Sequence, residues 1–254
     1  MQFDILTIFP DLIHHYAADS ILGKAQRAGA VKIVAHNFRD YAPDKHHRVD
    51  DRPYGGGPGM ILQVQPIFEC LKSIKALSPK ALKNVLPVKT GIQKRTLNSR
   101  LRGNDKTKII ILDPAGKKFD QRLAEKYSKL DRLVLIAGRY EGFDERVYKL
   151  ADERVSVGEY VLAGGELPAL TIVEAVARLI PGVLGNTASL KEETFSKIKV
   201  NKKKSLGISH LDLDISKEYP QYTRPEDFMG WKVPSVLMSG DHKKILEWRK
   251  KKQK

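Results

Sequence analysis

The stretch from Asp131 to Gly185, DRLVLIAGRYEGFDERVYKLADERVSVGEYVLAGGELPALTIVEAVARLIPGVLG, limits the fold more than any other part of the chain. Its apolar run Leu133 to Ala137 has no polar alternation, so it reads as a strand covered on both faces. That run ends in Gly-Arg-Tyr-Glu-Gly. A second run ends in Val-Gly-Glu-Tyr-Val-Leu and leads into Ala163, Gly164 and Gly165. A helical pattern follows, with Leu167, Leu170, Val173, Val176, Ala177 and Ile180 at helix spacing, and Pro181-Gly182 stops it. Twice, then, a buried strand runs into glycines and an acidic residue. Open α/β sheets bind ligands at the carboxyl ends of their strands, where backbone groups are free to bond them. The stretch is read as a cofactor and substrate pocket.

The rest of the chain supplies the remaining layers. Phe3 to Phe9 reads as a buried strand, and Pro10-Asp11 opens a helix. Val31 to Asn37 reads as a strand and Gln65 to Leu77 as a helix that holds Cys70. Lys108 to Leu112 is a strand that ends in Asp113-Pro114-Ala115-Gly116, and Asp120 to Lys129 is helical. Strands alternating with helices imply a mostly parallel α/β sheet with right-handed crossovers.

At 254 residues the chain can bury a sizeable core. With 41% hydrophobic and 30% charged residues it fits a soluble globular class, and no apolar run approaches a membrane span. The start, MQFDILTIFPDL, has no positive leader and makes a poor signal peptide. A single cysteine excludes an internal disulfide framework and suits a reducing cytoplasm. Cys70 itself reads as core rather than as a nucleophile. The net charge of +15 is unevenly spread. From Lys72 to Lys108 there are eleven Lys/Arg against one acid, and from Lys197 to Lys254 fifteen against seven acids. The pocket region is therefore near neutral, while the flanking segments are basic enough to attract phosphate backbones. A solvated basic surface is the plainer alternative.

Several motifs carry more than one reading. The glycines Gly55, Gly56, Gly57 and Gly59 are followed by Met60-Ile61, so they form no P-loop, and no strand leads into them as a dinucleotide site requires. They allow either a close backbone approach to a ligand or a tight turn. Asp44, His46, His47, Asp50 and Asp51 match no zinc spacing. Arg48, Asp50, Asp51 and Arg52 suit ion pairs or a polar substrate. Arg139 and Glu141 are either a surface pair or ligand contacts just past a strand end. Glu174 and Arg178 can pair at helical i,i+4 spacing, and Glu192 and Glu193 by themselves are two exposed acids.

The motifs DDRPYGGGPGM (Asp50 to Met60), GRYEGFDERV (Gly138 to Val147), VGEYVLAGGELPAL (Val157 to Leu170), RLIPGVLG (Arg178 to Gly185) and YTRP (Tyr222 to Pro225) occur in this order. Together they resemble the bacterial tRNA (guanine-37, N1)-methyltransferase family. The resemblance covers residues 1 to 77 and 108 to 250. It implies the SPOUT class, an α/β, mostly parallel sheet with a C-terminal trefoil knot. It also implies a homodimer whose active sites use both chains, S-adenosylmethionine as donor, a magnesium requirement, and a C-terminal domain that grips tRNA bearing G at position 37.

The resemblance also assigns residues. The first cofactor loop matches Ile111, Leu112, Asp113, Pro114 and Gly116. The second matches Gly138 and Glu141. The third matches Val157, Gly158, Glu159, Tyr160, Val161 and Leu162. Asp50, Arg52, Gly59 and Arg139 fall to the substrate. Guanine N1 carries a proton that must leave before it can attack, so the reaction needs a base and a cation for the charge that develops on O6. The family's base is an aspartate just after RLIPGVLG; Glu193 stands at that place here, with Glu192 beside it, and Arg178 matches the assisting arginine. No residue is assigned to the metal.

The resemblance divides the chain into a methyltransferase domain over 1–186, a flexible linker over 187–221 and a small, mainly helical C-terminal tRNA-binding domain over 222–254 that is shorter than its relatives'. Segment 78–106 reads as a basic insertion. The activity implied is methyl transfer to N1 of G37. A catalytically impaired RNA-binding protein of the same fold is the alternative, suggested by the glutamate at position 193, the insertion and the short C-terminus. No membrane association and a cytoplasmic location are expected.

Overall fold

A computed structural model describes residues 1–77, 106–185, 193–195, 198–199, 214–215 and 218–252. The segment expected to be an insertion, 78–106, lies outside the described residues except for Lys106. The chain divides into two compact units, Met1–Gly185 and Asn186–Lys254.

The first unit is built on a five-stranded sheet. Its strands are β1 (Gln2–Thr7), β2 (Lys32–Asn37), β5 (Thr107–Lys118), β6 (Arg132–Ile136) and β7 (Glu153–Ser156), in the order β2-β1-β6-β5-β7. Every neighbouring pair is parallel, as the alternation of strands and helices requires. A short antiparallel ladder, β3 (Asp50–Asp51) with β4 (Ile61–Leu62), stands apart from it.

The continuous apolar runs are explained by cover on both faces. Leu133 and Leu135 point into one core with Phe3, Ile5 and Ile110. Val134 and Ile136 point into the other with Leu6, Ile109 and Ile111. The first core is closed by α1 (Pro10–Ala18), α2 (Ser20–Arg27), α4 (Gln121–Tyr127) and α5 (Glu166–Ala177). The second is closed by α3 (Val64–Ser73) and the 3-10 turns Phe38–Tyr41 and Glu145–Leu150. Period-2 side-chain alternation sends successive residues of one strand to opposite cores. Cys70 is fully buried in the second core, and burial pushes its thiol up to about 12, so it is packing and not a nucleophile.

Two ion clusters, one around buried Asp4 and one around half-buried Glu153, tie the sheet together. Asp4 on β1 accepts from Arg132 Nε at 2.7 Å and lies 2.6 Å from His36 Nε2. Glu153 at the start of β7 accepts from Tyr127 Oη at 2.6 Å, from Lys126 Nζ at 3.2 Å and from Lys108 Nζ.

The strand expected over Lys108 to Leu112 runs further. Leu112 and Lys117 both pair with Val155, and the four residues between them bulge out of the ladder. Asp113 shapes the bulge by accepting from the Ala115 amide at 2.8 Å. Gly116 lies so close to β7 that a Cβ there would sit 2.5 Å from Val155 N.

In the second unit, β8 (198–199) pairs antiparallel with β9 (214–215), inside the span expected to be a linker. β10 (Asp227–Phe228) and β11 (Trp231–Lys232) form a hairpin, followed by the short helix α6 (Ser235–Met238) and by α7 (His242–Lys252). Asp241 caps α7, its Oδ1 accepting from the amides of Lys243 and Lys244 at 3.1 Å. Among the described residues no helix is long and apolar enough to cross a membrane.

Candidate active site

The bulge of β5 and the carboxyl ends of β6 and β7 surround a pocket of about 260 Å³. The β5 bulge contributes Leu112, Asp113 and Pro114, and the β6 end contributes residues 138–143. The β7 end contributes residues 155–158, and the returning loop 160–165 closes the other side. The three cofactor loops expected from sequence therefore meet in one cavity. Ile111 and Gly116 flank it from within the strand rather than line it, Ile111 being fully buried. Glu159 points to solvent with its side chain 90% exposed, 3.5 Å from Lys118 Nζ.

The walls are set by backbone proximity. The loop leaving β7 at one edge of the sheet passes β5 and reaches the end of β6, where the Gly165 amide donates to the Gly138 carbonyl at 2.8 Å. Ser156 holds the turn that starts this loop. Its hydroxyl donates to the Gly158 carbonyl at 2.7 Å and accepts from the Gly158 amide at 3.2 Å. Tyr140 sits at φ +59°, a left-handed conformation that non-glycine residues seldom adopt and that clusters at functional sites.

Arg139 enters the pocket wall held on three sides. Its Nε donates to Glu166 Oε2 at 2.9 Å, its Nη1 to the Ala163 carbonyl at 3.3 Å, and its guanidinium lies 4.6 Å from the centre of the Phe9 ring. Across the cavity Asp113 accepts from Tyr148 Oη at 2.6 Å and from Arg154 Nη2 at 2.8 Å. Burial alone would raise the Asp113 pKa. The hydrogen bonds from Tyr148, the Ala115 amide and Arg154 outweigh it and hold the carboxyl below its usual value. Burial and Asp113 together push the Tyr148 phenol up, so it stays a donor.

The glycine-rich loop comes to the same place. Glu141 donates its amide to the Met60 carbonyl at 3.0 Å, and a Cβ on Gly59 would lie 2.4 Å from Glu141 Cγ. Gly59, at φ +76°, is thus required both by its conformation and by this contact. Of the other residues assigned to the substrate, Asp50 lies on β3 and Arg52 is exposed two residues on, its amide donating to Asp51 Oδ1 at 2.8 Å.

The two residues expected to do the chemistry lie on different parts of the chain. Arg178 caps the end of α5, half-buried, and is not a lining residue. Glu193 belongs to the second unit, in a turn where the Thr194 amide donates to Glu218 Oε1 at 3.1 Å. Glu174, offered by sequence as a partner for Arg178, accepts from Tyr16 Oη at 2.5 Å. Sequence reasoning left Tyr148, Ser156 and Glu166 unassigned, although Glu166 stands inside a quoted motif.

A parallel α/β sheet with a glycine-walled pocket at the bulge of β5 and the carboxyl ends of β6 and β7 defines a ligand-binding α/β protein. Comparison with known proteins narrows this to one family. The family profile described as tRNA (Guanine-1)-methyltransferase TrmD matches residues 1–254. The tRNA (guanine-N(1)-)-methyltransferase of Dictyoglomus turgidum is 43% identical over 251 residues, covering 99% of this chain and 84% of that one. The protein of the same name from Lactobacillus helveticus is 45% identical over 251 residues, covering 99% and 85%. The crystal structure of tRNA (m1G37) methyltransferase from Aquifex aeolicus superposes with a TM-score of 0.68 at 34% identity, over 98% of this chain and 87% of that one. The chain belongs to the TrmD family of tRNA (guanine-N1)-methyltransferases and is an enzyme of that type.

Proposed function

We propose that this enzyme transfers a methyl group from S-adenosylmethionine to N1 of guanosine 37 in tRNA. The observation that carries the reading is the pocket itself, in which the three segments that the resemblance assigns to the cofactor converge around one cavity. Its lining fits the donor. Leu112, Val155, Val157 and Leu162 offer apolar surface, while the backbone of 138–142 and 158–165 offers polar groups. When bound, S-adenosylmethionine supplies a methyl group on a sulfonium, which needs no further activation.

The chain's own residues handle the other half of the reaction. Glu193 takes the proton from guanine N1 and so makes that nitrogen nucleophilic. Arg178 donates to O6, where negative charge develops as the proton leaves. The acids among the described lining residues are Asp113 and Glu141, and Asp113 is already engaged by Tyr148 and Arg154. We keep the base at Glu193 and assign the homodimer partner the task of completing each site. The passage of loop 157–165 over β5 to the end of β6 is the kind of crossing that the SPOUT trefoil knot requires. The second unit serves as the tRNA grip, helped by its basic helix α7. Among the described residues no three acidic, histidine or cysteine side chains could hold a metal, so no magnesium ligand is assigned and no step uses one. A cytoplasmic site of action completes the reading.

The test is transfer of tritiated methyl from S-adenosylmethionine to tRNA transcripts carrying G37 or A37. Label on the G37 transcript alone is expected. Tight RNA binding with no transfer would support instead an impaired RNA-binding protein, the reading that the glutamate at position 193 favours.

A further inference from the structure

One buried acid takes no part in the mechanism above. Glu166 is 1% exposed and opens α5 beneath the pocket wall. Its Oε1 accepts from Thr7 Oγ1 at 2.7 Å and its Oε2 from Arg139 Nε at 2.9 Å. Thr7 Oγ1 in turn accepts from the Phe9 amide at 2.9 Å, which leaves the hydroxyl proton for Glu166. A helix start favours an acid, but a solvent-facing one would satisfy the dipole equally well. Burying a carboxylate is costly unless every lone pair is used, so this placement needs a reason beyond helix stability.

The reason lies in what the carboxylate does to Arg139. Glu166, the Ala163 carbonyl and the Phe9 ring together leave the guanidinium a single orientation. Among the described residues Nη2 has no acceptor, and Arg139 lines the pocket. The neighbouring glycine fits the same device. A Cβ on Gly164 would lie 2.2 Å from Arg139 Nε and 2.6 Å from Glu166 Oε2. The pair is charge-balanced, so Arg139 offers direction more than net charge. A fixed fork of N–H groups suits an oxygen or nitrogen acceptor at a defined point better than it suits a diffuse phosphate field.

We infer that Glu166 is a positioning residue that, through Arg139, aims a hydrogen-bond donor at an acceptor atom of the RNA substrate. This rests on the reading of the pocket as that of a tRNA methyltransferase. Thr7 is the second support of the clamp, 159 residues away in sequence. Removing the carboxylate leaves the charge of Arg139 in place and releases its orientation.

The experiment uses the full-length protein as wild type, Glu166→Gln, Arg139→Lys and the double variant. Affinity for a G37 tRNA transcript is measured with saturating S-adenosylhomocysteine, and affinity for S-adenosylhomocysteine is measured alone by calorimetry. Each single variant should bind the transcript roughly tenfold more weakly, the loss of one charge-assisted hydrogen bond. The double variant should be no worse than the weaker single, because both changes break the same contact. Affinity for S-adenosylhomocysteine should fall by less than affinity for the transcript, since Arg139 also holds the Ala163 carbonyl of the pocket wall, whereas a general loss of packing would lower both alike. Independent losses that multiply in the double variant, or an unchanged Glu166→Gln, overturn the inference. If Glu166→Gln does not fold, Thr7→Val takes its place, with a smaller loss that again vanishes in the Arg139→Lys background; full additivity there overturns it as well. Methyl transfer by the wild type is scored separately. Its absence would sink the proposed reaction, while the binding cycle would still decide the role of Glu166.

Discussion

Gly165 donates its amide to the carbonyl of Gly138 at 2.8 Å, which joins the loop after β7 to the end of β6 across the intervening strand. No side chain fits between them, since a Cβ on Gly165 would lie 2.7 Å from Ala137 Cα. The loops after β6 and β7 are in this way held against each other by a backbone contact, beside the bond from Arg139 Nη1 to the Ala163 carbonyl. Gly165→Ala should therefore destabilise the fold by about 1–3 kcal/mol, the usual cost of overpacking, and weaken S-adenosylhomocysteine binding as the wall shifts. Denaturant unfolding and calorimetry check the two effects. Wild-type affinity in this variant would show that the contact does not shape the pocket.

Glu193→Gln should lower turnover by roughly 10²–10⁴-fold, the range for losing a general base, and leave affinity for S-adenosylhomocysteine unchanged. The pocket walls lie in Met1–Gly185, whereas Glu193 is in the second unit. A normal rate would remove it as the base and turn attention to Glu192.

Arg178→Ala should slow the chemical step by roughly 10²–10³-fold, as loss of one donor to a developing oxyanion does. Single-turnover kinetics at saturating tRNA isolate that step. A loss confined to RNA affinity would show that the residue grips the substrate and does not assist the chemistry.

Glu153 gives a stability prediction with a definite sign. Burial would raise its pKa, but hydrogen bonds from Lys108, Tyr127 and Lys126 lower it from 4.5 to about 2. A carboxylate depressed in the folded state stabilises fully above its unfolded pKa and loses that contribution as pH falls towards the folded one. Glu153→Gln should therefore be less stable than wild type near neutral pH. The gap should shrink between pH about 4.5 and about 2. Urea unfolding of both proteins across that window measures it, and a gap independent of pH would assign the effect to packing.

The strands were legible because both their faces are buried. Leu133, Val134, Leu135 and Ile136 are all fully covered, so the run needed no alternation to be recognised. The continuation of β5 past Leu112 was not legible. Asp113-Pro114-Ala115-Gly116 reads as a turn, and only the pairing of both Leu112 and Lys117 with Val155 makes it a bulge within one strand. Cys70 was correctly placed in a core because it shares a helical stripe with Ile67 and Leu71. The described residues of the span expected as linker, 187–221, include a short antiparallel pair that no sequence pattern announces.

The order of strand, glycine and acid along the chain determined by itself that a glycine-lined pocket would form where strands give way to loops, since that pattern follows from local backbone freedom and burial. Which side chains face each other across the cavity was decided only by tertiary structure. Tyr148 reaches Asp113 from 35 residues away and Glu166 reaches Thr7 from 159. Such pairings depend on how strands β1, β5, β6 and β7 are ordered in the sheet, and no local periodicity encodes that order.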